Sequence, residues 1–295
     1  MRVFVTGASG FVGAAVVQDL LEHGHSVLGL ARSDAAAASV AAAGANVVRG
    51  SLEDHDSLRQ GVAEADGVIH LGFLHDFANF AASCELDRRA IEALGAALAG
   101  TQRPLLVTSG VALVSPGRMA TEADGFKPVA PDFPRASEAA TAALVEQGVH
   151  ASVVRLPPSV HGIGDHGFVP MLAAVARAKG VSAYVGAGAN RWPATHRRDA
   201  ACVYRLALAQ GGSGARYHPI AEEGVAFRAI AEAIGAALGL PVRSVTEEDA
   251  AAHFGWFARF AGADMPASGE ETRRVLGWAP QEKGLIEDLA TAGYL

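Results

Sequence analysis

The first 22 residues read as a strand, a glycine-rich turn and a helix, and this unit constrains the fold more than any other stretch. A β-rich run at 2–6 precedes Gly7, Gly10 and Gly13, and apolar residues then recur at helical spacing. One glycine permits the tight turn, one lets the backbone approach a pyrophosphate, and one lets the helix pack on the strand. The helix start offers free N–H groups to an anion. The predicted dinucleotide contacts are Gly7, Ser9, Gly10, Phe11, Val12 and Gly13.

Strands and helices alternate along the first 160 residues. The strands at 68–71 (VIHL) and 104–107 (PLLV) are largely apolar rather than alternating, as expected when both sheet faces are covered. This pattern predicts an α/β fold: a Rossmann-type doubly wound parallel sheet with a smaller C-terminal substrate lobe. The expected NADP-binding domain spans 1–162, with 194–220 returning to it. The expected substrate-binding lobe comprises 163–193 and 221–295.

Composition narrows the class of protein. The net charge is −7 and no basic block occurs, which argues against nucleic-acid partners. No apolar run approaches the ~20 residues of a membrane span. Cys84 and Cys202 are the only cysteines, so neither a disulfide framework nor a metal site is expected. The sequence predicts a cytoplasmic globular protein that binds a small-molecule substrate, and a homodimer is compatible with it.

The end of the second predicted strand indicates which dinucleotide is preferred. NAD-binding members of this fold carry an acidic residue about 20 positions after the glycine-rich turn, and this residue bonds the ribose 2′-hydroxyl. Arg32 stands there instead, and its guanidinium suits the 2′-phosphate of NADP. Ser33 adds a hydroxyl, whereas Asp34 favours NAD. We therefore expect NADP(H), with NAD as the less favoured cofactor.

Four further segments, together with the glycine loop, resemble the extended short-chain dehydrogenase/reductases, the superfamily of NAD-dependent epimerases and dehydratases. They are GSLEDHDSL at 50–58, GVIHLGF at 67–73, VVRLPPSVHG at 153–162 and ETRRVLGWAP at 271–280. HRRDAACVYRLAL at 196–208 resembles the helix that returns to the main domain, with Asp199 expected as its N-cap. The resemblance implies further cofactor contacts from Ser51, Leu52, Leu71, Gly72, Phe73, Thr108, Ser109 and Pro157.

The chain departs from this family at its catalytic pair. Family members carry Tyr-x-x-x-Lys on the helix predicted at 134–147, but the matching positions hold Pro134 and Glu138. No Tyr-x-x-x-Lys occurs anywhere, because the residues four before Lys127, Lys179 and Lys283 are Ala123, Val175 and Ala279. In the family the lysine lowers the pKa of the tyrosine, which passes a proton to the carbonyl oxygen. The family's catalytic Ser or Thr would fall at Gly110, next to Ser109.

Three residues are the predicted catalytic substitutes. Ser109 follows a central strand, and its hydroxyl bonds either a substrate oxygen or the loop backbone. Arg135 either stabilises a developing oxyanion or forms an ion pair with Asp132 or Glu138. His161, where the family usually has tyrosine, either transfers a proton or is structural.

Other side chains are weaker candidates for the same pocket. His75, Asp76 and His166 lie in segments expected to reach it, and Tyr184 is the tyrosine most able to enter it. Aromatic residues of the C-terminal lobe are typical of a substrate pocket: Trp192, Phe254, Trp256, Phe257 and Phe260.

These observations predict an NADP(H)-dependent oxidoreductase that reduces a small carbonyl compound or a related substrate with a non-standard active site. Two alternatives remain open. The missing pair favours an NADP(H)-binding regulatory sensor of the NmrA type with little or no turnover. A sugar-nucleotide epimerase or dehydratase is the other alternative, although those reactions need the tyrosine to begin oxidation.

Overall fold

The structure, a computed structural model, describes residues 1–76, 78–112, 114–131, 133–291 and 293–295. Its strands are β1 (Arg2–Thr6), β2 (Ser26–Ala31), β3 (Asn46–Arg49), β4 (Gly67–His70), β5 (Leu105–Gly110), β6 (Ala151–Leu156), β7 (Ser159–His161), β8 (Ser182–Val185), β9 (Arg191–His196), β10 (Arg216–Tyr217), β11 (Glu222–Ala226) and β12 (Val242–Val245).

The helices begin and end as follows: α1 (Phe11–Glu22), α2 (Asp34–Ala42), α3 (His55–Ala63), α4 (Phe80–Leu98), α5 (Ser137–Glu146), α6 (Phe168–Lys179), α7 (Arg197–Gln210), α8 (Phe227–Leu238), α9 (Glu247–Phe254), α10 (Ala258–Ala261), α11 (Glu270–Leu276) and α12 (Leu285–Leu289). A 3-10 turn at Gly255–Phe257 joins α9 to α10. Across the described ranges, no helix is both long enough and apolar enough to cross a membrane.

The main sheet has seven parallel strands in the order β10-β6-β5-β4-β1-β2-β3. This arrangement confirms the predicted Rossmann-type sheet. The chain passes from β1 outward to β3 and then crosses back to place β4 on the other side of β1. Ligands of such sheets bind at the carboxyl ends of the strands, at this change of direction.

Alternate residues of β1 enter two different cores, which explains why the strand is apolar on both sides. Val3 and Val5 pack in the core that contains α1 and α7. Phe4 packs on the opposite face, in the core that contains α3, α4 and α5. Each fully buried valine or phenylalanine contributes about 1.5–3 kcal/mol relative to an exposed one.

A smaller C-terminal lobe covers the crevice with two small sheets. One is mixed and has the order β11-β9-β7, and the other pairs β12 with β8 in parallel. Most aromatic residues that we expected in a substrate pocket form the core of this lobe instead. Trp192 is fully buried, and Phe254 and Phe257 are also buried around it. Trp256 is the exception, with 55% of its surface exposed.

Helix α7 returns to the main sheet, and Tyr204 and Ala207 of α7 share one core with Val16 and Leu20 of α1. The prediction that Asp199 caps α7 is wrong. The side chain of His196 is the N-cap, and its Nδ1 accepts the Arg198 N–H at 3.3 Å.

Asp199 instead lies buried in the first turn of α7 and anchors a distant segment. Its two carboxylate oxygens accept the N–H groups of Gln281 at 2.8 Å and Glu282 at 3.1 Å. The Trp278 indole N–H donates to the Asp199 carbonyl at 3.1 Å. This side chain therefore fixes the segment after α11 against α7.

Asp199→Ala should lower the free energy of unfolding by about 2–4 kcal/mol, because two backbone N–H groups lose a charged acceptor. Asp199→Asn should cost less, since it keeps one acceptor oxygen. Urea unfolding checks this, with Thr246→Ala as the control: Thr246 is an exposed N-cap worth about 1 kcal/mol. Equal losses for the two alanine variants would contradict the anchoring role of Asp199.

Candidate functional site

The glycine loop has the shape of a phosphate cradle. Gly7 has a φ of +68°, and a Cβ there would lie 2.8 Å from the Gly72 nitrogen. A Cβ at Gly13 would lie only 2.0 Å from the Gly7 oxygen, so α1 packs directly on the turn. At Gly10 a Cβ would meet only the Gly7 oxygen, at 3.1 Å, and would otherwise fill open space. The loop therefore fits a pyrophosphate at the unpaired N–H groups of the helix start.

A chain of buried hydrogen bonds fixes the end of β4 beside this cradle. The Thr6 hydroxyl accepts the Gly72 N–H at 3.0 Å, so its own hydrogen is directed to His70 Nδ1 at 2.8 Å. His70 Nε2 then donates to Asp87 at 3.0 Å, and Ser137 donates to the other Asp87 oxygen at 2.5 Å. The chain links β1, β4, α4 and the first residue of α5. It holds Gly72 and its two neighbours in place at the crevice.

A cleft of about 450 Å³ opens at the ends of β2 and β3. It is lined by Ala31, Arg32, Ser33, Asp34, Arg49, Gly50, Ser51 and Asp54. Of the predicted cofactor residues, Arg32, Ser33 and Ser51 therefore meet in one place. The Ser33 hydroxyl also accepts the Ala36 N–H as the N-cap of α2. Leu52 lies on the far side of Ser51, where its side chain approaches Gly72.

Arg135 lies at the crevice, two residues before α5 begins. Its guanidinium is 4.6 Å from the ring centroid of Phe73, and its Nη2 reaches the Thr108 carbonyl only at 3.5 Å. The Nε atom is buried and has no hydrogen-bond partner among the described residues. Of the two expected ion-pair partners, Glu138 bonds elsewhere, and Asp132 lies outside the described residues. Among the described residues, no carboxylate pairs with this half-buried guanidinium.

Glu138, which the sequence analysis matched with the family lysine, forms a buried ion pair with Arg155 of β6. The Arg155 Nη2 and Nε atoms approach the carboxylate at 2.7–3.1 Å, and Arg155 is fully buried. The Ser109 hydroxyl donates to the same carboxylate at 2.9 Å. Its hydrogen is therefore directed to a side chain of α5, and neither to a substrate oxygen nor to the loop backbone, the two partners that the sequence suggested.

His218 completes this network from the other side of Arg155. Its Nδ1 donates to the Ser268 carbonyl at 2.9 Å, and its Nε2 accepts from Arg155 at 3.4 Å. Burial is the main cause that lowers the pKa of His218 to about 4. The imidazole is therefore neutral at pH 7, which suits an acceptor beside a guanidinium.

His161 is fully buried rather than exposed to the crevice. Its Nδ1 lies 2.8 Å from the Asp288 carboxylate of α12, and its ring packs 5.5 Å from that of His196. Its Nε2 has no partner in the described structure. The structure thus favours the structural reading of His161 over the proton-transfer reading. Pro157, another predicted cofactor contact, is also buried.

The loop before α6 forms the opposite wall of the crevice. The His166 ring lies 5.9 Å from that of Phe11, and the Arg197 guanidinium lies 5.1 Å from the same phenylalanine. Across the crevice, burial is the main cause that lowers the pKa of His75, with Arg135 and His166 also contributing. The His75 ring lies 5.2 Å from that of Phe73, so both histidines lie next to predicted cofactor contacts. Asp76 instead bonds the N–H groups of the turn that precedes α4.

None of the four tyrosines occupies the missing catalytic position. Tyr184, which we expected to enter the pocket, lies in β8 with the Arg228 guanidinium over its ring. Tyr204 is fully buried and bonds Thr108, and Tyr217 accepts the Gly212 N–H. The Tyr294 hydroxyl donates to Asp165, in the loop before α6, at 2.8 Å. Burial, the proximity of Asp165 and this hydrogen bond raise the pKa of Tyr294 well above its ordinary value, which makes it a poor acid.

The two cysteines lie on different helices, Cys84 on α4 and Cys202 on α7. Cys84 is buried, which raises its pKa to about 11, and Cys202 is half-buried. In the part of the chain that the structure describes, no three His, Cys, Asp or Glu side chains gather as a metal site.

Comparison with known proteins places this site in a family. Residues 3–220 match the NAD dependent epimerase/dehydratase family. An uncharacterized protein of Schizosaccharomyces pombe is 50% identical over 296 residues, which cover 100% of both chains. A 2-alkyl-3-oxoalkanoate reductase of Stenotrophomonas maltophilia is 31% identical over 261 residues, 82% of this chain and 77% of the relative.

A solved structure shows the same fold. The dTDP-glucose 4,6-dehydratase of Streptomyces venezuelae, solved with NAD bound, has a TM-score of 0.78 at 22% identity, covering 98% of this chain and 96% of that one. The chain belongs to the NAD dependent epimerase/dehydratase family.

The buried His218 predicts a pH dependence of stability. In the unfolded chain its imidazole binds a proton near pH 6.5, but in the folded protein only near pH 4. The unfolded state therefore binds more protons between these values, and His218 lowers the free energy of unfolding by about 3 kcal/mol as the pH falls from 6.5 to 4. His218→Gln, which can still accept from Arg155 and donate to Ser268, should flatten this part of the curve.

Urea unfolding at several pH values measures the effect. His23→Gln, a change at an exposed histidine, is the matched control. Its free energy of unfolding should depend on pH as that of the wild type does. A His218→Gln curve parallel to that of the wild type would show that His218 is protonated in the folded state.

Proposed function

We propose that this protein is an NADP(H)-dependent oxidoreductase that reduces a small carbonyl compound. The observation that carries the proposal is the Arg135 guanidinium, which lies against Phe73 at the crevice with its Nε buried and unpaired. A guanidinium whose Nε is buried without a hydrogen-bond partner favours an electron-rich ligand that can accept from it. The carbonyl oxygen of a substrate is such a ligand once it begins to gain charge.

The residues at the crevice fit the cofactor. The cradle of Gly7, Gly10 and Gly13 would hold the pyrophosphate, and Arg32 with Ser33 would bind the 2′-phosphate in the cleft beside β2. Leu71, Gly72 and Phe73 would line the path from the cradle to Arg135. NADPH, when bound, supplies the hydride.

In this proposal Arg135 provides the electrostatic stabilisation of the reaction. Its guanidinium stabilises the negative charge that develops on the carbonyl oxygen, and the Phe73 ring and the Thr108 carbonyl hold it in position. We assign the proton to solvent, because Ser109 donates to Glu138 and His161 is fully buried. Glu138 and Arg155 fix β5 against α5 and so position the residues around Arg135.

The 2-alkyl-3-oxoalkanoate reductase relative supports the reduction of a carbonyl group, since it is 31% identical over 82% of this chain. The second candidate is an NADP(H)-binding regulatory sensor. It is favoured by the acidic Glu138 at the position of the family lysine, where the pair with Arg155 leaves no group that could activate a phenol.

Gly10→Val should abolish NADPH binding while the protein remains folded, because the side chain would occupy the space left for the pyrophosphate. Arg32→Ala should weaken NADPH binding by about 10-fold or more but leave NADH binding unchanged, since only NADPH offers a phosphate to the guanidinium. Calorimetric titration with both cofactors and circular dichroism check the two variants. Wild-type protein that binds NADH as tightly as NADPH would contradict the cofactor assignment.

Arg135→Ala should lower kcat/KM for carbonyl reduction by about 10²–10³-fold, the cost of losing a group directed at an oxyanion. Arg135→Lys should recover part of this loss, because the charge remains but the planar fork is lost. NADPH oxidation is followed against a panel of ketones, aldehydes, imines and 2-alkyl-3-oxoalkanoates. The control is Arg89→Ala, an exposed arginine paired with Glu85 on α4.

Arg135→Ala with wild-type kcat/KM would overturn the role of this residue. Tight NADPH binding without turnover of any compound would favour the sensor over the enzyme.

A further inference from the structure

The cleft at the ends of β2 and β3 contains a second arginine that the cofactor assignment does not use. Arg49 is the last residue of β3 and is in register with Ala31, the last residue of β2. Its guanidinium donates to the Asp34 carboxylate at the start of α2. Both residues line the cleft together with Arg32. The ion pair therefore lies where the ribose of a bound dinucleotide would meet the protein.

Asp34 is the residue of this cleft that would oppose NADP(H). A carboxylate near the end of β2 bonds the ribose hydroxyls of NAD in this kind of fold and repels a 2′-phosphate. The Asp34 side chain is 95% exposed, so it is free to face a ligand. An unpaired Asp34 would thus repel the 2′-phosphate that Arg32, two positions earlier, is proposed to bind.

The other carboxylates near the cleft have hydrogen-bond partners of their own. Asp54 is the N-cap of α3, and its Oδ1 accepts the N–H groups of Asp56 and Ser57. A hydrogen bond from Ser51 is the largest cause that lowers the pKa of Glu53, and Arg32 adds a smaller electrostatic contribution. Asp34 is therefore the carboxylate whose charge Arg49 controls.

We propose that Arg49 is a specificity-determining residue for NADP(H): it neutralises Asp34 and so leaves Arg32 to bind the 2′-phosphate. This inference rests on the proposed function, since it concerns the same cofactor. The Arg49–Asp34 pair is exposed and contributes little to stability. The pair acts instead on the charge beside Arg32. When Arg49 pairs with Asp34, it cancels the negative charge of that carboxylate.

Calorimetric binding of NADPH and NADH to four variants tests the proposal without using activity. Arg49→Ala should weaken NADPH binding by about 10-fold, because one released carboxylate lies close to the phosphate. NADH binding should stay constant or become tighter. Asp34→Asn alone should change NADPH binding by less than about 3-fold, and Arg49→Ala with Asp34→Asn should return it to near the wild-type value. The control is Arg59→Ala, which breaks a similar exposed Arg–Asp pair with Asp56 on α3, away from the cleft.

The outcomes separate this inference from the proposed function. The proposal is overturned if Arg49→Ala behaves like Arg59→Ala, if it weakens both cofactors equally, or if Asp34→Asn fails to rescue it. Arg32→Ala is measured in the same series. If Arg32→Ala does not affect NADPH binding, the NADP(H) assignment itself fails, whatever Arg49 does.

Discussion

The buried ion pair between Glu138 and Arg155 is the interaction on which the rest of the site depends. It joins α5 to β6, and through Ser109 and His218 it also fixes β5 and the segment after β10. Two charges removed from water are costly unless their remaining hydrogen-bonding groups are also satisfied. Here Ser109 and His218 satisfy them. Residue 138 is therefore an acid rather than a lysine, and the proposed chemistry uses a cation from elsewhere.

In the proposed chemistry Arg135 supplies that cation, and two buried networks define where α5 begins beside it. Ser137 bonds Asp87 in the chain that starts at Thr6, and Glu138 bonds Arg155. Arg135 lies two residues before this anchored turn, and its guanidinium lies on Phe73. The same chain of hydrogen bonds fixes Gly72 beside the cradle. The cofactor path and the proposed electrostatic group are therefore held by one connected set of contacts.

Local sequence patterns predicted the structural features that depend on residues close together in the chain. The strand, turn and helix around the glycine loop and the parallel sheet were confirmed because their signals lie within a few consecutive residues. Partners that are distant in sequence were missed: Asp288 is 127 residues from His161, and Asp199 bonds residues 82 and 83 positions away. The aromatic residues of the lobe were assigned to a pocket because composition does not distinguish a pocket from a core. One signal was available: Arg155 interrupts an apolar strand, which indicates a buried acidic partner.

Reversing the charge at residue 138 tests the central claim most directly. Glu138→Lys installs the residue type of the family beside Arg155, and the account predicts a loss of at least about 3–5 kcal/mol in the free energy of unfolding. The swapped variant, Glu138→Lys with Arg155→Glu, should recover a substantial part of that loss because the pair is restored with opposite polarity. Urea unfolding of the three proteins measures this. A Glu138→Lys protein as stable as the wild type would contradict the account.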